Sequence, residues 1–164
     1  MDKTPNHHSL GISHLQLRGI QAPIAVCLIK EFATSLGFAK AVEIATAAIQ
    51  SDAVMAGKTM AENMGGNPLH VMARLGREVW SKDNSMTVKF LEETDRNLSF
   101  NVTRCGYAEL YQNMGILEFG YCLSCSRDEP FIQGFNSQIR LFRTQTIMQG
   151  ALHCDFRYVL ASPE

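Results

Sequence analysis

A chain of 164 residues, 46% hydrophobic and 19% charged, is long enough to bury one core without disulfides or metal staples. Its net charge of -1 leaves no basic footprint for nucleic acid. No uninterrupted apolar run approaches the roughly 18 residues of a membrane span, so no membrane association is expected.

The first residues, MDKTPNHHSLG, lack the apolar stretch of a secretory signal. Five cysteines at no framework-like spacing read as reduced thiols, and a cytoplasmic location is expected. Residues 1–20 carry Pro5, Gly11, Gly19 and three histidines without a sustained period, and read as a polar arm. His7, His8 and His14 are metal-capable, but exposed polar residues are the simpler reading. Residues 21–164 read as a single domain.

Ile24, Cys27, Leu28, Ile29 and Phe32 recur at helical spacing from about Pro23 to Leu36, with Pro23 suited to a first turn. Gly37 closes that helix. An alanine-rich helix follows from about Phe38 to Asn63, with Gly57 as a possible break. Gly65-Gly66 ends it, and Asn67-Pro68 opens a third helix to about Trp80.

The period then changes. Met86, Val88 and Phe90 alternate with polar residues, as do Leu98, Phe100 and Val102, which predicts an antiparallel hairpin. Extending the second strand places Arg104 on the side of Phe100 and Val102. Helices are expected at about Gly106–Asn113 and Ile116–Arg127, the latter stopped by Asp128-Glu129-Pro130. Strands follow at about Gln138–Thr146 and Leu152–Leu160. In the first, Arg143 shares a face with Ile139 and Leu141. In the second, Cys154, Phe156 and Tyr158 lie opposite His153, Asp155 and Arg157. The fold class is α+β: N-terminal helices on a four-stranded antiparallel sheet, with two helices between strands 2 and 3.

Chemistry-bearing residues concentrate after Asn101. Cys122-x-x-Cys125 falls near a helix end, where the dipole does not lower a thiol pKa, so a redox pair is disfavoured. Zinc held by Cys105, Cys125 and Cys154 with His153 or Asp128 lacks the spacing of a compact module. His153 and Cys154 also point to opposite faces of a strand. Hydrolysis needs a nucleophile, a proton shuttle and a charge clamp. Cys105, Cys125 and Cys154 are candidate nucleophiles, and Asp128 is a candidate base or water-orienting group. Arg143 and Arg104 suit a carboxylate substrate. Thr144 and Thr146 are candidate donors to a ligand.

The runs FNVTRCGYAELY, SCSRD and RTQTIMQGALHCDFRY, with MAENMGGNPL upstream, resemble the L-2-amino-thiazoline-4-carboxylic acid hydrolase family over about residues 60–158. The resemblance implies a metal-independent hydrolase without cofactor that opens 2-amino-thiazoline-4-carboxylate, or a similar cyclic amidine, to an N-carbamoyl amino acid. The matching positions are Cys105, Cys125, Asp128, Arg143, Thr144, Thr146, His153 and Cys154. Cys125 and Asp128 are the expected catalytic pair, with Cys105 and Cys154 on the opposite wall and the substrate carboxylate on Arg143 and Arg104.

The last strand is also similar to vinyl-reductase-type small-molecule-binding domains, several of which bind zinc. Arg143 and Thr146 stand where those have an acidic and a cysteine ligand, which implies an anion site instead of a metal. The alternatives are a non-catalytic sensor-like domain, or a relative recruited to another ring-opening or ring-closing step. The expected partner is a small carboxylate, with a homodimer compatible with the apolar helices.

Overall fold

The computed structural model describes residues 11–161. Two long helices come first, α1 (His14–Leu36) and α2 (Phe38–Asn63), folded into a hairpin at Gly37. The arm expected over residues 1–20 is already helical from His14, and His7 and His8 lie outside the described residues. The cause is local. The Ser13 hydroxyl accepts from the Gln16 amide at 3.1 Å, while the Gln16 side chain accepts from the Ser13 amide at 2.7 Å. This capping box starts the helix ahead of Pro23, which the helix carries in its interior at the loss of one backbone hydrogen bond.

A short helix, α3 (Leu69–Leu75), runs into a π-helical turn at Gly76–Trp80. The hairpin β1 (Met86–Glu93) and β2 (Asn97–Cys105) follows. Then come α4 (Gly106–Asn113), the single-turn α5 (Gly120–Leu123) and α6 (Asp128–Phe135). The strands β3 (Ile139–Phe142) and β4 (Cys154–Leu160) complete an antiparallel sheet in the order β1-β2-β4-β3. The α+β architecture matches the expectation.

The helix expected over Ile116–Arg127 is instead broken into short turns, and Asp128-Glu129-Pro130 opens a helix rather than stopping one. Pro130 sits in the first turn of α6, where its missing N–H has no intrahelical partner to lose. Asp128 is therefore a first-turn acid and not a loop residue.

Two apolar clusters make the interior. One joins the sheet (Leu98, Phe100, Tyr158) to α3 and α6 through Leu69, Met72 and Ile132. The other joins α1 to α4 and α5 through Val26, Tyr111 and Phe119. Cys105 and Ile147 pack against both, so the junction of the two clusters lies beside Cys105.

Gly57 marks no break in α2. It is the point of closest approach to α6: a Cβ there would strike the carbonyl oxygen of Phe131 and come within 2.7 Å of the Phe135 nitrogen. Gly134 answers from α6, where a Cβ would strike the carbonyl oxygen of Val54. Backbone against backbone leaves room for glycine alone, and this contact sets the height of α6 and hence of Asp128.

α1 is long and apolar enough by length and composition to cross a membrane, although polar residues interrupt its apolar run, and 17% of its most apolar window is buried. Ile20, Ile24, Leu28, Phe32 and Leu36 form an exposed ridge along it.

On the outer face of the sheet, Asp155 accepts from the Thr144 amide at 3.0 Å, the Thr144 hydroxyl at 2.7 Å and the Gln145 amide at 2.9 Å. Burial alone would raise its pKa, but these donors outweigh it and hold the carboxyl below its ordinary value. A depressed carboxylate stabilises above its unfolded pKa and ceases to do so as pH falls through the folded value. Asp155→Asn is expected to cost about 1 kcal/mol at pH 7, discounted for solvent exposure. The difference should shrink in acid, below the ordinary Asp value near 3.9. Urea melts of both proteins at pH 7 and pH 3 check this, and equal penalties at both would refute it.

Candidate functional site

A partly enclosed cavity of about 180 Å³ opens where the sheet, α1, α2 and α6 meet. Its size is below the roughly 300–1,000 Å³ of sites for drug-sized ligands, and suits a molecule of one ring. Its walls are flat and aromatic. Phe100 and Phe156 stack at 5.0 Å between centroids, and Trp80 meets Phe131 edge-on at 5.6 Å.

Arg143 and Asp128 form a tightly coupled pair in the lining. Arg143 donates through Nη1 to the Asp128 carboxylate and through Nη2 to the Cys125 carbonyl at 3.1 Å. Its guanidinium also lies 5.2 Å from the Phe156 ring centre. Burial would lower the Arg143 pKa, but Asp128 beside it outweighs that, so the guanidinium stays charged. Asp128 feels the reverse balance. Burial raises its carboxyl and Arg143 pulls it down, with the net effect upward. A carboxyl raised in this way gains basicity and can exchange a proton near neutral pH more readily than a surface acid.

Cys105, Cys125 and Cys154 all line the cavity. Burial and the negative charge of Asp128 raise Cys125 well above the ordinary thiol value, with only partial relief from Arg143. Burial takes Cys154 to about 11, although its sulfur accepts from the Ile147 amide at 3.2 Å. Burial also raises Cys105, against the nearby amides of Ala108 and Tyr107. The three thiols are therefore protonated at neutral pH. Alkylation by iodoacetamide at pH 7 should be at least tenfold slower at these positions than at the exposed Cys27, as peptide mass spectrometry of a time course would measure. Rapid labelling of Cys125 would contradict this electrostatic picture.

Several expected site residues stand elsewhere. A bulge opposite Thr87 and Val88 makes Thr87 pair with Arg104 and Val88 with Val102, which shifts the phase of β2 after Val102. Cys105 consequently lines the cavity, while Arg104 pairs with Glu109 and donates to the Asn84 carbonyl at 2.8 Å. Thr144 is committed to Asp155 on the outer face. Thr146 is buried as the cap of the turn Ile147–Gln149, with its hydroxyl 2.9 Å from Gln149 Oε1. His153 meets Gln145 at 3.1 Å and does not line the cavity. Cys122 is buried in the second cluster. Among the described residues, no three His, Cys, Asp or Glu side chains are grouped to hold a metal.

Two charged lining residues escaped the sequence reading, Arg18 from α1 and Arg127 next to Asp128, as did the polar Tyr107 and Ser124. The signal for Arg18 was available, since it is the one Lys or Arg between His14 and Ile29. A lone arginine in an apolar stretch needs a partner.

The geometry can be set beside known proteins. The family model for L-2-amino-thiazoline-4-carboxylic acid hydrolase matches residues 18–158. The chain belongs to that family. The match spans both Arg18 and the final strand, so it takes in every residue lining the cavity except His14. No curated protein matches the sequence. Among solved structures, the phenol-responsive sensory domain of the transcription activator PoxR with phenol is similar, with a TM-score of 0.51 and 14% identity. The alignment covers 90% of this chain and 74% of that one. At this identity the likeness is one of fold.

Proposed function

We propose that this member of the L-2-amino-thiazoline-4-carboxylic acid hydrolase family opens the ring of 2-amino-thiazoline-4-carboxylate or a similar small cyclic amidine carboxylate. The observation that carries the reading is Asp128, a part-buried carboxyl of raised pKa held by Arg143 beside Cys125 in the lining of an aromatic cavity. In this scheme the planar ring lies among Phe100, Phe131 and Phe156. Water adds across the C2–N bond as Asp128 takes one of its protons and hands it to the ring nitrogen. The remaining hydroxyl proton passes to sulfur as the C–S bond breaks and the carbonyl forms. The product is N-carbamoyl-cysteine, with every atom of ring and water retained.

The neutral thiols favour water over sulfur as the nucleophile and leave Cys125 to shape the space beside Asp128. Cys125→Ser is expected to lower turnover about tenfold, near 1.4 kcal/mol in barrier, a smaller loss than at Asp128. A larger loss at Cys125 than at Asp128 would move the attack from water to sulfur.

Incubating the purified protein with the thiazoline and following N-carbamoyl-cysteine by mass spectrometry tests the reading. A second reading, a non-catalytic binding domain, is favoured by the fold shared with the PoxR sensory domain. Saturable binding of the thiazoline with full recovery of the intact ring would select that alternative.

A further inference from the structure

Arg143, the guanidinium expected to meet a substrate carboxylate, has both terminal nitrogens engaged by Asp128 and the Cys125 carbonyl. The cavity holds two more guanidinium groups. Arg127 is nearly buried, at 13% side-chain exposure, and donates to Asp52 at 2.6 Å and to the Ile49 carbonyl at 3.4 Å. Arg18 lies close enough to Arg127 to feel its positive charge, and donates to the neutral side chain of Gln21 at 2.6 Å. Among the described residues it forms no ion pair. Asp52, the carboxylate serving this pair, is itself mostly exposed, at 66%.

Arg18 and Arg127 line both the aromatic cavity and a wider open groove of about 440 Å³ between α1 and α2. They stand where groove and cavity meet. Two guanidinium groups partly withdrawn from water, with one mostly exposed carboxylate paired to Arg127, leave a positive charge that an incoming anion would offset.

We propose that Arg18 and Arg127 form the anion-recognition site of this protein, receiving the carboxylate of a small planar ring whose body enters the aromatic cavity. The choice of ring rests on the hydrolase reading, whereas the anion site rests on the arginines. In this arrangement Arg143 is a positioning residue that holds Asp128, and Arg18 with Arg127 selects carboxylate-bearing ligands over neutral ones.

The test compares thiazole-4-carboxylate with thiazole-4-carboxamide by calorimetry on the full chain. Wild type is expected to bind the carboxylate at least tenfold more tightly. Arg18→Gln should remove that preference, while Arg18→Lys should keep part of it. Arg127→Lys, which retains the charge facing Asp52, should weaken carboxylate binding without changing carboxamide binding. Melting curves of all variants establish that they are folded. Equal affinity of wild type for the two probes, or an undiminished preference in Arg18→Gln, would overturn the proposal. A preference lost in Arg18→Gln in a protein that forms no carbamoyl product would support the site while rejecting the hydrolytic reading.

Discussion

Asp128→Asn is expected to lower kcat/KM for the thiazoline at least a hundredfold, about 2.7 kcal/mol of transition-state stabilisation. The substitution keeps the size of the side chain and can still accept from Arg143, so α6 should remain in place. What it removes is the basic carboxylate, and general-base contributions fall in the range of roughly 10²–10⁴. The pH profile gives a second handle. Because burial raises the Asp128 pKa against the pull of Arg143, wild-type kcat/KM should climb through a carboxylate range above the ordinary Asp value near 3.9. The base is inactive when protonated, so the limb lies on the acid side and activity rises with pH. In Asp128→Asn that limb should vanish from the residual rate. A variant with near wild-type turnover, or an unchanged acid limb, would remove Asp128 from the mechanism.

Gly134→Ala carries the largest expected cost in stability, about 3 kcal/mol, at the upper end of what overpacking usually costs. The new methyl would meet backbone on α2: the Val54 carbonyl oxygen directly and its carbon at 2.8 Å. No rotamer change relieves a backbone collision, so α6 must move away from α2. Asp128 and Phe131 ride on α6, and activity should fall together with the urea midpoint. Gly57→Ala tests the same contact from the other helix, against Phe131 and Phe135. The two substitutions act on one interface and should be less than additive when combined. A Gly134→Ala midpoint indistinguishable from wild type would show that the helices are not held this closely in solution.

Much of this molecule follows from local pattern. The alanine-rich stretch ending at Gly65-Gly66 predicts α2 because propensity and termination agree there. Alternation in Met86–Phe90, Leu98–Val102 and Cys154–Tyr158 predicts three strands and the inward face of Cys154. Errors arose where a small local device outweighs the general rule. The Ser13–Gln16 capping box starts α1 ahead of Pro23. Pro130 falls in the one turn of a helix that tolerates it. A single bulge after Val102 exchanges Arg104 for Cys105 at the cavity. A strand has a period of two, so one irregular pair reverses every inference beyond it.

The sequence by itself therefore determined the α+β order, the strand faces up to the bulge after Val102, and the family, since each depends on neighbouring residues and on motifs that survive without coordinates. Only the tertiary structure decided which charges share a space. Arg18 comes from the first helix, Arg127 from the turn before α6, Asp128 from the first turn of α6, and Arg143 from just beyond β3. Their energies depend on distance and on exclusion of water, which chain order does not encode. The same holds for the thiols, where cysteines that look like nucleophiles on paper are neutral once buried beside Asp128. Burial and charge proximity are properties of the assembled fold: they keep the thiols neutral, raise the Asp128 carboxyl and bring Arg18 and Arg127 into the lining of one cavity.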